Sequence, residues 1–299
     1  MKKPWLIYAL ITTGFWGVWG AFAEFPTRHG FPETLVYVVW ALTLIPPALY
    51  AMRRVGWRVQ ADPKSVLLGC LIGFTGAGGQ MLLFHAVHTG PTYLIFPIIA
   101  LSPVITIALS MLFLKERVSK LGAFGVALAL IALPLFNYSP GGEVGASGLQ
   151  GVWFVYALII LLAWGVQGYF MKLANASMDA ENIFLYMTVT GLVLIPVALW
   201  MTDFSIPIEY GWQGPGLAAI TQILNAVGAL TLVYAFRYGR ALVVAPLANA
   251  GAPMITAIVS MMVLSVMPNT ITAVAIVLAF LAAALLAIEP EEKLVEQPT

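Results

Sequence analysis

The sequence predicts an all-α integral membrane protein of ten transmembrane helices, built as two inverted five-helix repeats. Three observations carry this. The 299 residues are 61% apolar and only 9% charged, with a mean hydropathy of +0.93, whereas a soluble domain carries roughly 25% charged residues. The segment PVITIALSMLFL at 103–114 returns as PMITAIVSMMVL at 253–264, and FWGVWG at 15–20 returns as AWGVQG at 163–168. The cations fall on alternate connections between the apolar runs, as the positive-inside rule requires.

A helix needs about 20 apolar residues to cross the hydrocarbon core. Such runs occur at 5–24, 33–52, 65–88, 91–114 and 118–136 in the first half, and at 151–174, 181–202, 213–237, 241–264 and 269–288 in the second. They are continuous and lack the in/out alternation of a membrane β-barrel. The offsets of 148 and 150 between the repeated segments divide the chain into residues 1–136, a linker at 137–150, residues 151–288 and a tail at 289–299. The linker, NYSPGGEVGASGLQ, has the Gly/Ser/Pro composition of a flexible connection. The tail, EPEEKLVEQPT, reads as solvated.

With the N-terminus in the cytoplasm, 13 of the 14 Lys and Arg lie on cytoplasmic segments and only Arg28 lies outside. One span more or fewer would scramble this pattern, so both termini are expected in the cytoplasm. The basic stretch from Arg53 to Lys64 sets orientation and meets lipid headgroups, with no nucleic-acid partner implied. Lys2 and Lys3 ahead of an apolar run that reaches Ala21-Phe22-Ala23 resemble a signal peptide. Cleavage there would remove one copy of the repeated FWGVWG element, so the segment is expected to be retained. Cys70 is the single cysteine, so no intrachain disulfide forms.

Five spans is an odd number, so the second copy enters the membrane from the opposite side. Inverted repeats of this kind build secondary transporters, whose halves rock about one central site. Pro103 and Pro253 fall near the midplane of the fourth and ninth spans and are expected to break both helices, because proline removes a backbone hydrogen bond and crowds the preceding turn. Pro97 and Pro246 correspond upstream. Freed carbonyls at that depth need protein or a wet cavity around them.

The tryptophan-glycine pairs Trp16-Gly17 and Trp164-Gly165, the run from Pro103 to Leu114-Lys115-Glu116 with Gly122 and Gly125 beyond it, and the counterpart from Pro253 resemble the drug/metabolite transporter superfamily, in its EamA-type ten-span form. The resemblance covers nearly the whole chain. It implies secondary transport in a bacterial inner membrane, mostly export, of amino acids, nucleobases, sugars or organic cations. One departure is Leu264-Ser265-Val266-Met267-Pro268, where many relatives repeat a glutamate. Glu116 is thus left without a counterpart and is expected to serve as a cytoplasmic loop contact.

At about 1.5 Å per helical residue, Trp16, Trp164, Gln222 and Asn225 sit near the midplane, Trp19 and Gln80 toward the outside, and Gln167 and Asn249 toward the inside. Buried amides are costly unless they find partners or a wet cavity, so these residues are the candidate substrate pocket, with interhelical packing as the competing reading. Tyr93 and Tyr234 are candidate hydroxyl donors on the path. Trp5, Trp57, Trp153 and Trp200 suit an interfacial belt. Glu24, His85 and His88 fall near the outer ends of the first and third spans. Together they would titrate near neutral pH and couple transport to protons; apart, they are solvated interfacial groups.

The expected function is a secondary transporter of a small neutral or zwitterionic metabolite, with H+ or Na+ as the candidate coupling ion. No Lys or Arg lies at the predicted midplane, which argues against strongly anionic cargo. An enzyme would require clustered ligands or a nucleophile with its base, and three histidines and one cysteine offer no metal spacing and no cofactor motif. No ATP-binding motif is present. A lipid-linked carrier flippase or a channel on the same fold remains the alternative from another class.

Overall fold

The computed structural model describes residues 3–23, 25–89, 95, 98–99, 101–136, 152–264 and 269–288. These form helices and their connections, with no strand among the described residues. Six segments are long and apolar enough to cross a bilayer: Pro4–Arg28, Glu33–Arg54, Pro63–Leu83, Val152–Ala174, Ala180–Met201 and Trp212–Tyr238. Four shorter apolar helices, Ser102–Leu114, Lys120–Ala132, Ala241–Thr256 and Thr270–Leu286, bring the described spans to ten. They are numbered below in chain order, and the face on which the chain starts is the near face.

Helix ends follow local chemistry. Pro4 opens the first helix at a position that needs no N–H. Asp62 accepts from the Ser65 backbone N–H at the head of the third span, and the Ser65 hydroxyl and N–H hold its carboxyl below the usual carboxylate range. Asn269 caps the tenth span by accepting from the Thr272 N–H at 2.8 Å.

The interruptions lie partly where the sequence predicts and partly elsewhere. The second span is two helices, Glu33–Thr43 and Ile45–Arg54, and the seventh is two, Ala180–Val193 and Ile195–Met201. Their junctions, Leu44 and Leu194, stand in LIPPALY at 44–50 and LIPVALW at 194–200, a third repeated pair at an offset of 150. Each proline deprives a carbonyl one turn earlier of its partner. Pro103 stands in the first turn of the helix Ser102–Leu109, where proline costs little. That helix passes into a π-helical turn, Ser110–Leu114, closed by Lys115 in the left-handed region at φ 54°. The ninth helix, by contrast, runs unbroken from Ala241 to Leu264 through both Pro246 and Pro253, which corrects the expected break at Pro253. Proline removes one bond from the ladder, and a helix walled by neighbouring helices keeps its course. Pro97 lies outside the described residues.

The two halves interlock. The first span packs between the eighth and ninth, and the sixth packs between the third and fourth, so each repeat inserts its leading helix into the other. The fifth and tenth spans pack on each other. At the two insertions the contacts are equivalent. Thr256 Oγ1 donates to the Gly17 carbonyl and Thr106 Oγ1 to the Gly165 carbonyl, each at 2.8 Å. A β-carbon on Gly17 would collide with Ile255, and one on Gly165 with Ile105. Glycine lets the helix axes approach close enough for the threonine hydroxyls to reach backbone oxygen.

Candidate functional site

Where the inserted helices cross the bundle, they enclose a cavity of about 320 Å³. This lies at the small end of the roughly 300–1,000 Å³ range of ligand pockets. Among the described residues, eight spans supply its walls, and the fifth and tenth supply no lining residue. Trp16 and Trp19 come from the first span, Trp40 and Leu44 from the second, Gly76 and Gln80 from the third. Ser102, Pro103 and Thr106 come from the fourth, Trp164, Gln167 and Met171 from the sixth, and Met187 from the seventh. Asn225 and Leu232 belong to the eighth, Asn249 and Thr256 to the ninth. Among the described residues, no Asp, Glu, Lys, Arg or His lines the cavity.

All four indole N–H groups are engaged within the protein. Trp16 Nε1 donates to the Asn225 carbonyl at 3.2 Å, Trp19 Nε1 to Gln222 Oε1 at 3.1 Å, Trp40 Nε1 to Asn225 Oδ1 at 2.8 Å and Trp164 Nε1 to the Gly76 carbonyl at 3.3 Å. The rings are thereby fixed, and their N–H groups are not left to a ligand. Glycine makes room for two of them: a β-carbon on Gly228 would strike Trp16, and one on Gly79 would strike Trp164. Gln80 and Gln167 make no hydrogen bond to the described residues, so their amides remain for a ligand.

The residues singled out from sequence therefore divide. Trp16, Trp19, Gln80, Pro103, Trp164, Gln167, Asn225 and Asn249 converge on one cavity. Gln222 is buried behind Trp19 and does not line it. Pro246 is buried beside the lining residue Ala245, outside the wall. Tyr234 does not line the cavity. It lies toward the near face, donates to Glu181 Oε1 at 2.7 Å, stacks on Tyr8 at 5.0 Å and lies beneath the Arg54 guanidinium. Of the external trio, His85 packs edge-on against Tyr156. Glu24, Tyr93 and the side chains of His88 and Pro253 lie outside the described residues. Sequence reasoning missed Trp40, Met187, Thr106 and Thr256. The two threonines were readable, since Pro103-Val-Ile-Thr106 and Pro253-Met-Ile-Thr256 repeat.

Below the cavity the near face is tied by Glu116. Its carboxylate oxygens accept from the Ala241 and Leu242 N–H groups, each at 3.1 Å, and Lys172 Nζ stands 3.9 Å away while donating to the Gly239 carbonyl at 2.8 Å. A carboxylate at a helix N-terminus meets unpaired N–H groups and the positive end of the dipole. The loop contact expected for Glu116 is thus a cap on the ninth helix, which joins the two repeats.

Ten apolar helices in two interlocked halves around a central uncharged cavity define a membrane transporter built from inverted repeats. The model of the EamA-like transporter family matches residues 3–138 and again 151–288, and the chain belongs to that family, within the drug/metabolite transporter superfamily. It is 24% identical over 263 residues to protein RarD of Streptomyces exfoliatus, covering 84% of this chain and 76% of that one. It is 23% identical over 222 residues to protein LicB of Haemophilus influenzae, covering 68% and 70%. An uncharacterised protein of Methanocaldococcus jannaschii matches 134 residues at 25% identity, 45% of this chain and 96% of its own length. A solved crystal structure superposes with a TM-score of 0.76 at 17% identity, over 94% of this chain and 98% of that one.

Proposed function

We propose that this transporter carries a small neutral or zwitterionic organic metabolite, an amino acid in the first instance, across the bacterial inner membrane by alternating access, and that it is an exporter driven by H+ or Na+. The observation that carries the reading is the lining: four amides between four indole faces, with no ionisable side chain among the described residues. An unpaired net charge in such a site would forfeit its hydration without a counter-ion, whereas amides match the dipolar groups of a neutral or zwitterionic molecule. The cation distribution supports the near face as cytoplasmic.

The test is thermal stabilisation of the purified protein by amino acids, nucleobases, nucleosides, sugars and organic cations, since a ligand of the folded state raises apparent stability. Amino acids are expected to stabilise the wild type, and Trp16→Ala or Trp164→Ala to abolish the shift. Stabilisation by a nucleobase or sugar alone would move the cargo to that class. A shift that survives both substitutions would remove the cavity from the account.

A further inference from the structure

Two asparagines face the cavity with opposite polarity, and the protein itself fixes which end of each amide is presented. An indole N–H only donates, so the Asn225 atom that meets Trp40 Nε1 at 2.8 Å is its oxygen. With the backbone carbonyl of Asn225 also taken, by Trp16, what remains for a ligand is the Asn225 amide –NH2, which makes no hydrogen bond to the described residues and is not sealed from the cavity. On the ninth span the logic reverses. A backbone carbonyl only accepts, so the Asn249 atom 2.9 Å from the Ala245 oxygen is nitrogen. The group left to the cavity is Asn249 Oδ1. Asn225 lies about two turns from the far-side end of its helix and Asn249 about two turns from the near-side start of its own, so donor and acceptor enter at different depths. Gln80 and Gln167, which make no hydrogen bond to the described residues, line the wall with them.

We infer that the cavity binds a zwitterion in one orientation, its carboxylate on the Asn225 amide –NH2 toward the far face and its ammonium on Asn249 Oδ1 toward the near face, with Trp40 as the positioning residue that keeps Asn225 a donor. This rests on the reading of the cargo as a zwitterionic metabolite and adds its direction and the residues that discriminate. The apolar part of the molecule then lies against the indole faces. A free amine without the carboxylate leaves the Asn225 donors unanswered, and a free acid leaves Asn249 Oδ1 unanswered; each is rejected because a buried polar group goes unpaired.

The full-length protein in detergent, at about pH 8 so that an introduced carboxyl ionises, is titrated with the proteinogenic L-amino acids. For each that raises the melting temperature, its decarboxylated amine and its deaminated acid are titrated too. Asn225→Asp keeps an oxygen for Trp40 but offers the ligand no donor. It is expected to weaken the amino acid about tenfold or more while the amine gains. Asn249→Leu removes the acceptor and is expected to weaken the amino acid about tenfold or more while the deaminated acid gains relative to it. Trp40→Phe leaves the ring and frees Asn225 to rotate, so the preference for amino acid over amine falls several-fold even if Asn225→Asp does not fold. The same ligand preference in Asn225→Asp and Asn249→Leu, the reverse pattern, or an unchanged preference in Trp40→Phe would overturn the orientation while leaving a zwitterionic cargo standing. Stabilisation by nucleobases or sugars with none by amino acids would overturn both.

Discussion

At the residue scale, the fold turns on which glycines touch another helix. Gly14 and Gly17 share the first helix, yet a β-carbon on Gly14 meets nothing within 4 Å, whereas one on Gly17 drives into Ile255. Gly17→Ala is therefore expected to destabilise by about 1–3 kcal/mol, the usual cost of overpacking. Gly14→Ala should be neutral or stabilise by about 0.5–1 kcal/mol through the unfolded chain. Thermal unfolding of the two variants side by side checks this, and equal melting temperatures would refute the close approach. The tryptophan-glycine pair was legible from its recurrence at 16–17 and 164–165. Its meaning was not, because a close helix contact lies between residues far apart in sequence, and nothing local marks which glycine makes it. Trp40 was missed for a similar reason: its indole reaches Asn225 across 185 positions of sequence.

At the element scale, the decisive joint is the cap on the ninth helix. Glu116, 7% exposed, accepts from two backbone N–H groups and faces Lys172. Glu116→Gln is expected to cost about 1–3 kcal/mol, because the amide replaces one charge-assisted acceptor by a donor aimed at an N–H and leaves Lys172 short of its counter-charge. Adding Lys172→Met should cost less than the two single losses together, because the two side chains share an interaction. Additive losses in the double variant would show that the two do not act as a pair. Asn269→Ala, an exposed cap that joins no second element, should cost about 1 kcal/mol. Sequence reading expected a cytoplasmic contact for Glu116 because the repeat lacks a second glutamate. It could not name the partners, which are backbone groups and carry no sequence signature. The expected break at Pro253 failed for a related reason: proline removes a bond but does not decide whether neighbours hold the helix straight. The kinks that do occur, at Leu44 and Leu194, precede prolines at the same place in both repeats.

At the scale of the whole molecule, the architecture was largely readable and the interlock was not. Span length, apolarity and the two offsets in the sequence dictate ten helices and two repeats. The insertion of the first span between the eighth and ninth, and of the sixth between the third and fourth, follows from glycine, threonine and tryptophan contacts that no periodicity reports. That insertion brings Trp16 and Trp164, one from each repeat, into the lining of one cavity. The walls come from eight spans while the fifth and tenth pack on each other outside.

Uptake of radiolabelled amino acids into liposomes that hold the purified protein, by counterflow against trapped unlabelled substrate, decides whether the cavity carries cargo. Saturable uptake that needs trapped substrate and is lost in Trp164→Ala is expected, while Gly14→Ala behaves as wild type. Flux that rises without saturation, or that is unchanged by Trp164→Ala, would contradict a carrier working through the central cavity.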